Sequence, residues 1–164
     1  MIMYKLFITL SLFLVIEVFS YDIIIDTSYV NNISNKNKSL NRSYRKEVVY
    51  DLNTNLIWQD SRKDRYLEIS YNEANRYCKT LSLSGYDNWR IPTLLELFSI
   101  LDSKYSKPAI NKVFKIFVYN FNSSYWTSTK NKQNERLSIG FEYGEIISDG
   151  YSKKNIRCVH NSKK

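Results

Sequence analysis

The first regular pattern of apolar residues lies just after residue 47. Two short β-prone runs, Val48-Val49-Tyr50 and Leu56-Ile57-Trp58, flank a polar stretch rich in Asn, Asp and Thr. Runs of this kind separated by turn-forming residues are typical of a β-hairpin. We therefore predict that the folded region begins with a hairpin and continues into a charged loop at residues 60–66.

Two helices are predicted next, because each carries its own start signal. Ser70-x-x-Glu73 and Thr93-x-x-Glu96 are capping boxes, in which a hydroxyl and a carboxylate satisfy backbone N–H groups of the first turn. Apolar residues then recur at spacings of three and four, as amphipathic helices require. They are Tyr71, Ala74, Cys78 and Leu81 in the first helix, closed by Ser84-Gly85, and Leu94, Leu97, Phe98 and Leu101 in the second.

The C-terminal part of the chain has the pattern of antiparallel strands. Residues 125–129 are strand-like, 146–147 begin a return strand, and 155–160 form the predicted last strand. For residues 103–124 a short helix and a β-like loop remain open. The order of elements predicts an α+β domain with two helices packed on antiparallel strands. Strict alternation, as on a half-buried strand, is shown by Leu137, Ile139, Phe141 and Tyr143.

Residues 1–20 have the pattern of a signal peptide. Lys5 precedes the predominantly apolar run 6–16, which is shorter than the ~20 residues that span a bilayer. Val18 and Ser20 suit a cut before Tyr21. The alternative is an uncleaved anchor, the one route by which we expect a membrane contact. Residues 21–46 are predicted as a flexible arm and residues 161–164 as a tail.

The predicted export decides how the two cysteines are interpreted. In an oxidising compartment, a chain with two cysteines is expected to form one disulfide, here between Cys78 and Cys158. It would join the first helix to the last strand. The alternative is two unpaired buried thiols. In the chain-entropy model, closing a loop of about 80 residues stabilises the fold by about 4.5 kcal/mol.

The net charge of +8 favours acidic partners. Since the chain is predicted to leave the cytoplasm, an anionic glycan or an envelope or extracellular protein is expected, and nucleic acid is not. The basic residues are spread along the sequence, which is also the pattern of an ordinary solvated surface. The aromatic fraction of 15% is high, and most of these residues fall in periodic segments that predict packing.

Several blocks of the sequence resemble the Lcl C-terminal domain family, over residues 47–160. They are Asp51 to Gln59, Ala74 and Cys78, a Leu-x-Gly-Tyr block at 83–86, and the closing blocks 125–128 and 156–159. The most specific block is Trp-Arg-Ile-Pro-Thr at 89–93. The family motif residues are Trp58, Trp89, Arg90, Pro92, Thr93, Glu96, Trp126 and Arg157.

This resemblance implies an exported bacterial domain with a C-type-lectin-like fold, which is related to the formylglycine-generating-enzyme fold. Members of the family end collagen-like surface adhesins and are implicated in binding host glycosaminoglycans. A disulfide from a helix to the terminal strand suits such a fold. This chain has 4 glycines and no collagen-like repeat, so presentation on a trimeric stalk is not implied.

We interpret the 89–93 block as structural. Trp89 is expected to fill the core, Pro92 and Thr93 to set the start of the second helix, and Arg90 to pair with Glu96 or Asp87.

The sequence offers little for catalysis or metal binding. His160 is the sole histidine, lies near the C-terminus and has no nucleophile motif beside it. The predicted disulfide consumes both thiols that a cysteine-dependent enzyme would need. Calcium requires clustered carboxylates, whereas Glu142, Glu145 and Asp149 are scattered. No metal or cofactor is therefore predicted, and calcium stays possible but unsupported.

The candidate ligand surface is basic and adjoins the predicted strand at 125–129. Lys and Arg side chains bind sulfate and carboxylate groups, and Arg can do so in a bidentate way. A solvated face is the simpler alternative. The candidate residues are Tyr125, Lys130, Lys132, Arg136, Lys153 and Lys154.

The preferred hypothesis is an exported, non-catalytic binding module of the bacterial envelope or surface, which recognises an anionic glycan or a protein. The alternative is a structural or assembly component of the envelope with no small ligand. An enzyme of the formylglycine-generating type is a third hypothesis, supported only by the fold relationship.

Overall fold

The computed structural model describes residues 40–102, 104, 107–119, 123–148 and 152–162. The predicted signal peptide, most of the predicted arm, Asp149, and Lys163 and Lys164 of the predicted tail lie outside these residues. Along the described chain the elements are β1 Leu40–Ser43, β2 Val48–Asp51, β3 Leu56–Gln59, α1 Tyr71–Thr80, α2 Leu94–Phe98, β4 Ser124–Lys130, β5 Arg136–Gly140, β6 Ile146–Ser148 and β7 Val159–Asn161.

The strands form two antiparallel sheets, with orders β1-β2-β3-β7 and β4-β5-β6. The predicted hairpin is confirmed as β2 and β3, with Val49 opposite Trp58. The predicted strands at 125–129 and 146–147 are confirmed as β4 and β6. Two helices with two antiparallel sheets make the chain an α+β domain, as the order of elements predicts. Among the described residues, no helix combines the length and apolar character needed to cross a membrane.

Both helices begin where the sequence predicts. Ser70 Oγ accepts from the Glu73 N–H while Glu73 Oε2 accepts from the Ser70 N–H, and Thr93 and Glu96 repeat the arrangement at α2. The predicted ends are wrong. Helix α1 ends at Thr80, so Ser84 and Gly85, both with positive φ, form a separate turn after it.

Helix α2 ends at Phe98, one turn before the end of its apolar stripe. The reason is long-range pairing: Leu101 forms a β-bridge with Ile110, and the Asn111 N–H donates to the Ile100 carbonyl at 2.9 Å. Residues 113–119, whose type the sequence leaves open, contain neither helix nor strand.

The interior consists of two apolar clusters. One contains Trp58, Leu97, Phe114 and Tyr125, and the other contains Trp89, Trp126 and both cysteines. Strand β5 is covered on both faces, since Ser138 is as fully buried as Ile139. The prediction of a half-buried strand was therefore wrong. Ser138 lies opposite Trp126, on the side of the second cluster, and its hydroxyl donates to the Ile147 carbonyl.

The predicted disulfide is confirmed. Cys78 and Cys158 are bonded, both are fully buried, and their Cα atoms are 5.6 Å apart. The alternative of free thiols is wrong. The bond joins α1 to the residue directly before β7, because the last strand starts at Val159 and not at 155.

The predicted flexible arm was wrong for residues 40–43. They form β1, which pairs with β2 from Leu40 opposite Asp51 to Ser43 opposite Val48. The pairing of β1 is supported by a residue outside the hairpin, because the Arg42 guanidinium donates to the buried carboxylate of Asp60 at 2.5 Å. A weakly apolar strand of this kind depends on its partners and not on its own pattern.

Candidate functional site

The tryptophans of the family motif are core residues. Trp58, Trp89 and Trp126 are at most 1% exposed. The indole N–H of Trp89 donates to the Tyr86 carbonyl at 2.8 Å, and that of Trp126 donates to the Ile69 carbonyl at 2.9 Å. The indole N–H of Trp58 is buried with no hydrogen-bond partner among the described residues. All three buried rings contribute to packing and do not offer a contact surface.

Arg90 pairs with Glu96, one of the two carboxylates that the sequence proposes, through two bonds of 2.8 and 2.6 Å. It also donates to Asn161 at 2.7 Å, so that it joins the start of α2 to β7. The hydrogen bonds to Glu96 raise the pKa of Arg90. Burial alone would raise the pKa of Glu96, but the hydrogen bonds from Arg90 and Thr93 outweigh it and the pKa lies below its ordinary value.

The last family motif residue, Arg157, belongs to a buried ionic cluster that the sequence did not reveal. Its guanidinium lies 3.2 Å from the carboxylate of Asp60, and Arg42 approaches the other oxygen of the same carboxylate. The three side chains are at most 7% exposed. Buried charges are tolerated when they are paired and hydrogen-bonded, as here.

This cluster fixes the backbone of residues 115–118, which we call the pinned segment. Asp60 accepts the N–H groups of Lys115 and Ile116 at 3.1 and 2.9 Å. Arg157 donates to the Ile116 carbonyl. The Val118 N–H donates to the Tyr125 hydroxyl at 2.7 Å. Asp60 and Arg157, both distant in the sequence, and the nearby Tyr125 therefore hold a segment that has no regular structure of its own.

The candidate ligand surface is not assembled as the sequence predicts. Tyr125 is 3% exposed and stacks on Phe141, with ring centroids 4.4 Å apart, and its burial raises its pKa. Lys154 is 4% exposed, and its ammonium nitrogen lies 5.2 Å from the ring centroid of Trp126 and donates to Ser152. Their predicted place at the surface was wrong.

The other four basic residues reach the surface to different degrees. Arg136 is half-buried, because it lies 3.9 Å over the ring of Tyr71 and donates to the Ser128 carbonyl. Lys130, Lys132 and Lys153 are exposed, and Lys130 donates to Asn134 in its own turn. What remains is a basic tip formed by Lys130 and Lys132 at the β4–β5 turn.

A concave basic site lies elsewhere, at a cleft of about 440 Å³ beside the pinned segment. Its apolar part consists of Pro108, Ile110, Phe114 and Phe117, and its basic part of Lys107, Lys112 and Lys115. Phe114 belongs to the core, where its ring meets Trp58 edge-on at 6.5 Å. The cleft therefore has a rigid apolar wall and a cationic edge.

Two of the cleft lysines are positioned by contacts of their own. Lys107 lies 3.4 Å from the carboxylate of Glu142 and 5.2 Å from the ring centroid of Tyr143. Its interactions with Tyr143 and then with Glu142 raise the pKa of Lys107, so this ammonium group stays charged at neutral pH. Lys115 donates to the Lys112 carbonyl at 2.7 Å, which directs its charge along the same edge.

The arrangement is suited to binding anions. Ammonium groups attract sulfate, carboxylate or phosphate, and an apolar wall accepts the less polar face of the same ligand. The described residues include no cluster of three or more His, Cys, Asp or Glu side chains that could hold a metal ion. His160 lies outside the cleft, 5.1 Å from Tyr86 and 5.6 Å from Trp89 between ring centroids.

Sequence reasoning missed the cleft because its residues fall in the stretch without a periodic pattern. A weak signal was present in Lys112-Val-Phe-Lys115-Ile-Phe117, where lysines interrupt an apolar run. Nothing in that run indicates that Asp60, more than fifty residues earlier, fixes its backbone.

Comparison with known proteins identifies a family for most of the chain. Searches of curated proteins and of solved structures found no match. The family model described as Lcl C-terminal domain matches residues 47–160, which include the disulfide, Asp60, Arg157 and the cleft. The chain therefore belongs to the Lcl C-terminal domain family.

Proposed function

We propose that this chain is an exported, non-catalytic binding domain that recognises an anionic glycan in the cleft beside the pinned segment. The observation that carries the proposal is the combination of three lysines with an apolar wall in a cleft of about 440 Å³. Ligand sites of this kind commonly measure about 300–1,000 Å³ and combine apolar lining with a few polar groups. Lysine ammonium groups supply the attraction for sulfate or carboxylate, and the phenylalanine rings supply contact area for the sugar.

Export and fold form part of the same proposal. A buried disulfide is typical of proteins that fold in an oxidising compartment, and the N-terminal pattern predicts a signal peptide. A C-type-lectin-like fold is supported by the α+β architecture and by a disulfide from the first helix to the end of the chain.

The binding role is favoured over catalysis by the state of the cysteines. Both are in the disulfide, so a cysteine-dependent reaction of the formylglycine-generating type has no thiolate available. The carboxylate of Glu142, beside the cleft, is paired with the Lys107 ammonium group at 3.4 Å.

The proposal is tested by removing charge from the cleft and, separately, from the basic tip. The variant Lys112→Gln with Lys115→Gln is compared with Lys130→Gln with Lys132→Gln, which removes the same charge from exposed lysines at the β4–β5 turn. Binding of heparin-derived oligosaccharides is measured by calorimetry at two salt concentrations. We expect the cleft variant to lose affinity by about tenfold or more and to lose part of its salt dependence. The tip variant should stay within about twofold of the unchanged protein.

Equal losses in the two variants would show a diffuse basic attraction and would overturn the cleft as the site. Absence of binding to any glycan, together with one stoichiometric protein partner in a pull-down, would favour the structural or assembly role. Urea unfolding of both variants provides the control for folding.

A further inference from the structure

Two exposed tyrosines flank the cleft. Tyr143 is 58% exposed and its ring lies 5.2 Å from the Lys107 ammonium group. Tyr119 is 45% exposed and its ring centroid is 5.7 Å from that of Phe117. Lys107 and Phe117 are the first and last cleft-lining residues along the chain. Each end of the lining segment therefore continues into an exposed aromatic ring.

The backbone of Tyr143 is held by hydrogen bonds, and Tyr119 adjoins the pinned segment. Tyr143 lies in the turn after β5, where its N–H donates to Glu145 and the next residue, Gly144, has a φ of 81° and donates to the Gly140 carbonyl. The same turn is joined to the cleft, because the Lys107 N–H donates to the Glu142 carbonyl at 2.7 Å. Tyr119 directly follows Val118, the last residue of the pinned segment.

An exposed ring on a fixed backbone can gain contact area from a ligand at a small cost in conformational entropy. Tyrosines buried in the core, such as Tyr125, have no such capacity. Contacts run from Tyr143 through Lys107 and the cleft to Phe117 and Tyr119, so aromatic and cationic groups form one connected set around the cleft.

We propose that Tyr143 and Tyr119 extend the cleft into a longer track, and that the ligand is an oligosaccharide whose neighbouring sugars stack on these two rings. The inference rests on the proposed glycan-binding function. It adds that the site recognises a chain of several acidic sugars and not a single sugar or a terminal unit. The cleft binds the central unit, and each tyrosine binds a unit on either side.

The test uses heparin-derived oligosaccharides from the disaccharide to the octasaccharide, titrated into the full chain. We expect affinity to rise with length in the unchanged protein. The variant Tyr119→Ala with Tyr143→Ala should bind the disaccharide within about twofold of the unchanged protein, because Lys107 keeps its ion pair with Glu142 when the Tyr143 ring is removed. Its affinity for the octasaccharide should fall by roughly threefold for each ring removed.

Tyr66→Ala is the matched control. Tyr66 is 74% exposed, its ring lies 5.2 Å from the Arg65 guanidinium, and it does not line the cleft. The Tyr66→Ala variant should keep the full dependence of affinity on oligosaccharide length. It therefore also measures the statistical advantage that longer oligosaccharides have because they offer more binding positions. If the double variant keeps that dependence while the disaccharide still binds, the track is overturned and the proposed function stands. If no oligosaccharide binds the unchanged protein, the proposed function fails and the track fails with it.

Discussion

Asp60 is the residue through which the core and the cleft are connected. Its carboxylate accepts hydrogen bonds from two arginines and from two backbone N–H groups of the pinned segment. Because the side chain is fully buried, these four donors replace the water that a carboxylate would otherwise bind. A buried ionic cluster adds little net stability when intact, but removing one member leaves the others charged and unpaired.

Asp60→Asn should therefore be strongly destabilising although it hardly changes the shape of the side chain. The side chains of Arg42 and Arg157 are 7% and 4% exposed, and they would lose the charge that compensates them. We expect the free energy of unfolding to fall by about 3–5 kcal/mol. The measurement is urea unfolding followed by tryptophan fluorescence. Asp87→Asn, at an exposed position, is the control and should change stability by less than about 0.5 kcal/mol. A loss below 1 kcal/mol for Asp60→Asn would contradict the role assigned to the cluster.

Side-chain direction is the part of the site that the sequence did not determine. Tyrosine and lysine are common at ligand-binding surfaces, but Tyr125 is 3% exposed and Lys154 is 4% exposed. A strand covered on both faces gives no alternation from which an inward direction can be deduced. The burial of Lys154 follows from backbone pairing with Ile69, in a segment that the sequence separates from it by more than eighty residues.

At the scale of single elements, local signals were sufficient for helix starts but not for helix ends. A capping box acts within four residues, so its sequence alone predicts the first turn of α1 and of α2. The end of α2 depends on the bridge between Leu101 and Ile110, and strand β1 depends on β2 and on Asp60. Contacts of this range have no counterpart in a local pattern.

The contribution of the α2 start to the free energy of unfolding should depend on pH. Glu96 has a pKa below its ordinary value of 4.5, because hydrogen bonds from Arg90 and Thr93 to its charged form outweigh burial. A carboxyl whose pKa is lowered in the folded state stabilises the fold above the unfolded pKa, and this contribution is lost as the pH falls through the folded pKa. Glu96→Gln should lower the free energy of unfolding by about 1 kcal/mol at pH 7, since the pair is partly screened by solvent.

The deficit of Glu96→Gln relative to the unchanged protein should be constant at neutral pH and shrink as the pH falls below about 4.5. Urea midpoints measured from neutral pH down to about pH 3 give this difference directly. Glu68→Gln removes one carboxylate from an exposed position and is the control for the loss of a surface charge. A deficit of equal size at both ends of the pH range would exclude a charge-dependent role for Glu96.

At the scale of the whole molecule, the α+β class and the disulfide could be predicted from the order of elements and from two cysteines in a chain expected to be exported. The cleft could not. It is formed by an irregular stretch whose position is set by Asp60, Arg157 and Tyr125, each from a different part of the chain. A concave site made from long-range contacts becomes visible only when the fold is known.

The disulfide should stabilise both the fold and the cleft. It closes a loop with a sequence separation of 80, and Cys158 lies between Arg157 and β7, with its N–H donating to Gln59 at 3.0 Å. Replacing both cysteines by alanine should lower the free energy of unfolding by about 3–5 kcal/mol, a large share of the ~5–15 kcal/mol typical of a domain.

Because Arg157 is adjacent to Cys158, loss of the bond should also loosen the pinned segment before the helices open. Native-state hydrogen exchange measures this at the amides of Lys115 and Ile116, with the capping-box amides of Glu73 and Glu96 as internal references. We expect protection at Lys115 and Ile116 to fall more than at the references in the double-alanine variant. Equal loss at all four amides would mean that the bond acts only on global stability, and the disulfide would then have no separate part in holding the cleft.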